Sequence, residues 1–214
     1  MEKKVLITSR SFGKINDEGY RILEAAGYSY LNTGADFDQA AFEEMIPDFD
    51  ALIIGAHPFP AEVLARCGRL KIICKHGAGL DNIPLDQAKK QGVIVCNAPG
   101  TNSNAVADLA FGLMLSSARL IQRSSLNARQ GIKKSVIGTD VYGKTLGLLG
   151  FGAIAKCVSR RAAGFSMKVL AYDPYVKEVP EEFASFVTLC GLDEVIRSCD
   201  ILSIHMPLTD RPAA

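Results

Sequence analysis

The sequence predicts an α/β architecture of two doubly wound parallel-sheet domains, and three observations predict it. Short apolar runs of four to six residues recur along the chain, each followed by a helix-like stretch; that alternation is what βαβ units produce. The runs are near-continuous rather than alternating, as in strands covered on both faces. The pattern breaks once, at residues 97–102 (NAPGTN), where Pro99 and Gly100 cannot easily continue a strand ladder. We therefore expect a first domain over residues 1–98 and a second over residues 99–214.

In the first domain, residues 4–8 (KVLIT) read as a buried strand. Residues 17–26 carry Ile22, Leu23, Ala25 and Ala26 at helical spacing, with Gly27 at the position of a C-terminal cap. Strands follow at 28–31, 51–54 (ALII), 70–75 (LKIICK) and 93–96 (VIVC). Helices are expected between them at 38–45, at 60–67, which Pro60 opens, and at 84–91, which Gly92 closes. Asn102 or Ser103 can cap the next helix, 105–121, whose apolar face is read as Val106, Leu109, Ala110, Leu113 and Met114. Residues 122–144 are polar with three glycines and read as an irregular connection. Strands at 145–149, 168–172, 185–189 and 201–205, with helices to about 164 and over 192–197, complete the second domain.

The 48% hydrophobic and 22% charged composition is that of a soluble globular protein. A net charge of +1 without a basic run gives no electrostatic case for nucleic acid or an acidic membrane surface. The apolar run after the N-terminal Met-Glu-Lys-Lys, residues 5–7, is too short for a signal-peptide core or a membrane span. The six cysteines (67, 74, 96, 157, 190 and 199) form no C-x-x-C pair. They read as buried free thiols, with a cytoplasmic location, no structural zinc and no disulfide framework.

The stretch with the most specific chemistry is 145–173. Gly150-Phe151-Gly152-Ala153-Ile154-Ala155 fits G-x-G-x-x-G/A between a strand and a helix. Gly150 allows the tight turn, Gly152 lets backbone approach a pyrophosphate, and Ala155 is small enough for close helix–sheet packing. The helix start offers free N–H groups and partial positive charge to phosphates. Asp173 ends the second strand 21 residues after Gly152, where a ribose-binding carboxylate is expected. A carboxylate repels a 2′-phosphate, and no arginine adjoins it, so NAD is expected over NADP.

On these residues the chain resembles the D-isomer-specific 2-hydroxyacid dehydrogenases, most closely their phosphoglycerate dehydrogenase-like branch. Lys75-His-Gly-Ala-Gly-Leu-Asp-Asn82 is similar to the family's segment ending in G-x-D-N. Residues 97–108 resemble its N-x-P-x-x-N-x-x-x-V-A-E motif, with Asp108 for the glutamate. Residues 143–155 resemble G-K-T-L-G-I-I-G-x-G-x-I-G, and residues 205–209 resemble H-x-P-L-T. The resemblance implies a flavodoxin-like substrate domain and a Rossmann NAD-binding domain. It implies that Ala78, Gly79 and Leu80 hold a substrate carboxylate through backbone amides, with Ala78 also near the nicotinamide. Lys75 would contact substrate, Asn102 the substrate or the ribose, Ala153 and Ile154 the pyrophosphate, and Asp173 the adenosine ribose. His205, Met206 and Pro207 would line the cofactor cleft.

The implied activity is NAD-dependent oxidoreduction of a small 2-hydroxy or 2-keto acid. The family's histidine, its carboxylate partner and its arginine all follow the H-x-P-L-T segment, so the catalytic residues are expected beyond Ala214. Four readable strands in a sheet that normally has about six likewise suggest a longer protein. His57 stands where a phosphoglycerate-specific member would carry basic residues. His76 is expected to be a loop histidine bonded to backbone, and His205 a positioning residue. Two other readings are an NAD-sensing, corepressor-like binding protein on the same scaffold and a catalytically inert fragment. The resemblance, with the apolar 105–121 helix, further implies a homodimer.

Overall fold

The computed structural model describes residues 3–207, and the chain divides into two compact units, Met1–Thr101 and Asn102–Ala214. The first unit alternates β1 (Lys3–Ile7), α1 (Glu18–Ala25), β2 (Tyr28–Asn32), α2 (Gln39–Met45), β3 (Ala51–Ile54), α3 (Ala61–Ala65), β4 (Ile72–Lys75), α4 (Leu85–Gln91) and β5 (Ile94–Cys96). Its sheet runs β2-β1-β3-β4-β5, every pairing parallel, the flavodoxin-like order. Leu6, Leu52, Ile54 and Ile73 from the strands form one core with Phe42 of α2, Val63 and Leu64 of α3 and Ala88 of α4. Helix α1 has no fully buried residue. Asp38 caps α2 by accepting from the Ala41 N–H at 2.8 Å.

The second unit contains α5 (Ser103–Ala118), α6 (Ile121–Arg129), β6 (Thr145–Leu149), α7 (Ala153–Gly164), β7 (Lys168–Tyr172), β8 (Val187–Leu189), α8 (Leu192–Ser198) and β9 (Ile201–Ile204). Its parallel sheet runs β8-β7-β6-β9, the first four positions of the 3-2-1-4-5-6 Rossmann order. Leu146, Leu148, Val169 and Ala171 of the sheet are sealed by Ala107, Phe111 and Met114 of α5 and by Ala155, Val158 and Ala162 of α7.

Three sequence expectations change. The buried stripe of α5 is Ser103, Ala107, Phe111 and Met114, while Leu109 and Leu113 are 64% and 61% exposed. The helix is apolar on more than one side, so its spacing could not choose between faces. Residues 121–129 are helical although their polar composition reads as irregular; the chain bends 66° between α5 and α6, and α6 buries nothing. Cys96 is exposed, and Cys74, Cys190 and Cys199 are only half-buried, unlike buried Cys67 and Cys157. Among the described residues no single helix is long and apolar enough to cross a membrane.

Candidate cofactor and substrate-loop sites

In the second unit the strand order reverses between β6 and β9, and Gly150 leaves β6 at that point. Ligands of open α/β sheets bind at such reversals, outside the carboxyl ends of the strands. Gly150 has φ +91°, and a Cβ there would lie 2.6 Å from the His205 carbonyl oxygen. Both conformation and space therefore demand glycine. Gly152 is different: its φ is −79°, and an added Cβ would meet nothing in the chain. Ala155 is fully buried at the helix–sheet contact.

The Gly150 N–H donates to the Tyr172 carbonyl at 2.7 Å, and the Phe151 N–H to Asp173 Oδ2 at 2.8 Å. Among the described residues, the N–H groups of Gly152, Ala153 and Ile154 find no acceptor, as helix starts require. These unpaired donors sit at the α7 terminus, beside the turn. Asp173 Oδ1 accepts from the N–H of Tyr175 at 2.8 Å and of Val176 at 3.3 Å. Partial burial works to raise its pKa; the Phe151, Tyr175 and Val176 donors, with nearby Lys156, outweigh that and hold it below the ordinary carboxylate value. Lys156 also lies 5.8 Å from the Phe151 ring centroid.

At the end of β9, the His205 N–H donates to the Leu149 carbonyl at 2.7 Å. Its ring Nε2 lies 2.9 Å from Ser203 Oγ, and burial lowers its pKa. Met206 and Pro207 follow, exposed beside the glycine turn. Leu208 and Thr209 of the H-x-P-L-T segment lie outside the described residues. Asn102 occupies the N-cap position of α5, but its side chain makes no capping hydrogen bond and is exposed.

The first unit gathers a second set of polar groups at the carboxyl ends of β1, β3 and β4. Lys75 Nζ donates to the Gly55 carbonyl and to Asn82 Oδ1, both at 2.6 Å. Asn82 Nδ2 donates to the carbonyls of Gly55 (3.1 Å) and His57 (2.6 Å). The loop after β4 turns at Gly77 (φ +146°), which donates to Lys75 O at 3.0 Å and accepts from the Ala98 N–H at 2.9 Å. Asn97 Nδ2 donates to Ala78 O at 2.7 Å. The loop's carbonyls are thereby tied back, and among the described residues the N–H groups of Ala78, Gly79 and Leu80 have no acceptor.

His57 packs on Phe37, with centroids 3.9 Å apart, and on Phe42. Its Nδ1 lies 3.0 Å from the Pro58 carbonyl and its Nε2 2.8 Å from Thr8 Oγ1. A carbonyl can only accept, so Nδ1 carries a proton. His76, expected to bond backbone, instead places Nδ1 2.6 Å from Ser9 Oγ and 3.3 Å from Ser11 Oγ. Its loop directly crosses the end of β1, where hydroxyls are nearer than carbonyls. Sequence reading missed Thr8, Ser9, Asn82 and Asn97 as members of this set. For Thr8, Ser9 and Asn97 the usable signal was their place just after strand ends, where open α/β sheets bind ligands.

Free helix-start amides, a glycine turn at the strand-order reversal and a carboxylate closing the second strand together define a dinucleotide-binding α/β protein. Comparison with known proteins makes this specific. Residues 111–213 match the family described as D-isomer specific 2-hydroxyacid dehydrogenase, NAD binding domain. The chain is 39% identical over 183 residues to a hydroxypyruvate reductase of Thermotoga maritima, covering 83% of this chain and 58% of the relative. It is 33% identical over 211 residues to a D-3-phosphoglycerate dehydrogenase of Methanocaldococcus jannaschii, covering 97% and 39%. It is also similar to NAD+-bound 3-phosphoglycerate dehydrogenase of Entamoeba histolytica (TM-score 0.79, 28% identity, 98% of this chain and 64% of that one). The chain thus spans little more than half, or less, of these curated relatives. The match and these likenesses support the D-isomer-specific 2-hydroxyacid dehydrogenase family, phosphoglycerate dehydrogenase-like, with residues 111–213 matching its NAD-binding domain.

Proposed function

We propose that the protein of which this chain is part is an NAD-dependent oxidoreductase of a small 2-hydroxy or 2-keto acid. The observation that carries the reading is the glycine loop after β4, whose Ala78, Gly79 and Leu80 amides stand unpaired while its carbonyls are tied back by Asn97 and Ala98. Three adjacent backbone donors of that kind suit a carboxylate. NAD, when bound, supplies a hydride acceptor or donor. Ala153 and Ile154 would hold its pyrophosphate from the start of α7, Asp173 its adenosine ribose, and His205, Met206 and Pro207 would line the cleft. Asn102, its amide unused in capping, is assigned to substrate or ribose.

Lys75 has two of its three donors engaged by Gly55 and Asn82, leaving one for substrate. Beside it, His57 is enclosed by aromatic rings, and burial lowers its pKa, so it adds no dependable positive charge. This favours an unphosphorylated acid such as glyoxylate or hydroxypyruvate over 3-phosphoglycerate. Among the described residues the rings of His57, His76 and His205 have hydroxyl or carbonyl partners and no carboxylate, so none of the three is assigned the proton transfer.

The exposed apolar side chains of the α5–α6 region, Leu109, Leu113, Ile121 and Leu126, with Ile132 and Ile137 beyond, support a homodimer through this unit. Six unpaired cysteines support a reducing, cytoplasmic setting. The test is NADH oxidation by the full-length protein across a panel of 2-keto acids. Turnover with glyoxylate or hydroxypyruvate is expected, and no turnover with any of the panel would sink the reading.

A further inference from the structure

Cys74 and Cys96 are register partners on the adjacent parallel strands β4 and β5. Adjacent strands lie about 4.8 Å apart and opposed side chains leave the sheet on the same face. That spacing falls within the roughly 4.4–6.8 Å between Cα atoms that a disulfide spans. Both thiols are free. Cys96 is exposed, and Ile94, two residues earlier on the same face of β5, is 60% exposed, so this corner of the first unit is open to small oxidants. The remaining cysteine of the unit, Cys67, is buried in α3's packing and donates to the Val63 carbonyl.

The pair also stands at a mechanically significant place. Cys74 is followed directly by Lys75, which braces Gly55 and Asn82. Cys96 is followed directly by Asn97 and Ala98, which hold the carbonyls of Ala78 and Gly77. A bond between the two sulfurs fixes the spacing of the two strand ends that present the unpaired Ala78–Leu80 amides.

We propose that Cys74 and Cys96 form a thiol–disulfide modification site whose oxidation by a peroxide resets the loop after β4. The exposed Cys96 thiolate attacks one peroxide oxygen; an S–O bond forms, the O–O bond breaks, and water leaves after proton uptake. Cys74 sulfur then attacks the Cys96 sulfenic sulfur, forming S–S and releasing a second water. Two thiols and one hydrogen peroxide become one disulfide and two waters, two electrons passing to the peroxide. Burial raises the Cys74 pKa, with a further push from Cys96 close by; this suits it to the resolving role rather than the first attack.

The experiment treats the full-length protein with stoichiometric hydrogen peroxide under native conditions and maps it with trypsin without reduction. Cleavage after Lys71, Lys75, Lys90 and Arg119 places Cys74 in Ile72–Lys75 and Cys96 in residues 91–119. The expected product is these two peptides joined, with loss of two hydrogens, reversed by a dithiol. Hydrogen exchange at Ala78, Gly79 and Leu80 should shift on oxidation and return on reduction. Cys96→Ser should abolish the link and the exchange shift, and Cys74→Ser, read in parallel, should leave a sulfenic acid on Cys96. Overoxidation of Cys96 without a joined peptide, a link to another cysteine, or an exchange profile unchanged by a formed link would each overturn the proposal. None of these readouts depends on substrate or cofactor.

Discussion

Asp173 shows how much one side chain can be asked to do. Its two oxygens accept from three backbone donors, at Phe151, Tyr175 and Val176, so the carboxylate fixes the glycine turn in addition to the ribose contact proposed for it. An amide in its place turns an NH2 toward at least one of those donors. Asp173→Asn is therefore expected to weaken NADH binding by about 10- to 100-fold, the scale of hydrogen bonds to a charged group, in a fluorescence titration. A variant with unchanged affinity would remove Asp173 from the cofactor site. His57 gives a second prediction at this scale. Burial lowers its pKa, the Pro58 carbonyl working against this and the charge of Lys75 adding to it. The unfolded chain takes up a proton as pH falls through about 6.5, before the folded one does. Stability is thus complete above that value and lost as pH falls below it. The urea midpoint should drop between about pH 7.5 and 5.5, and His57→Gln should remove part of the drop, His205 in the second unit contributing the remainder. A flat wild-type profile would contradict both histidine environments.

At the scale of elements, the strands were legible and some of the helices were not, for a physical reason. Parallel strands buried on both faces write themselves as apolar runs: 51–54, 145–149 and 168–172 appear in the structure with the boundaries their composition implies. The turns at Gly150 and Gly77 were legible because their positive φ restricts the residue type. The side-chain web of Lys75, Asn82, Asn97 and Ser9 was not, because those partners meet only after distant strands align. Helix α6 was illegible since it buries nothing: without a packed face there is no periodicity to read. Helix α5 failed in the opposite sense, with too many apolar residues rather than too few. Its two faces can be separated by substitution. Phe111, 5% exposed and packed on Phe165 with centroids 5.0 Å apart, belongs to the core, so Phe111→Ala should cost about 3–5 kcal/mol in denaturant unfolding. A loss of less than about 1 kcal/mol, the range of ordinary surface changes, would show that α5 is not seated on α7 as described.

Considered as a whole, the second unit exposes more apolar surface than its own sheet can cover. Leu109 and Leu113 lie one helical turn apart on the outer side of α5, and Ile137 is 90% exposed in the connection that follows α6. Scattered exposed leucines need no explanation, but a run of them along one region is the kind of surface the proposed dimer would cover. The core side of the same helix, Ala107, Phe111 and Met114, is already satisfied within the unit, so core packing and the proposed contact can be tested separately. Leu109→Glu with Leu113→Glu should leave unfolding within about 0.5 kcal/mol per site of the parent when both are measured as monomers. The same pair should convert a dimer into monomers by sedimentation, since burying two carboxylates against apolar surface is costly without partners. NADH affinity per chain should be unchanged, because neither exposed residue belongs to the proposed cofactor set. A parent protein that sediments as a monomer over the concentration range tested would refute the dimer outright. A double variant that unfolds rather than dissociates would assign Leu109 and Leu113 to the packing of the unit itself.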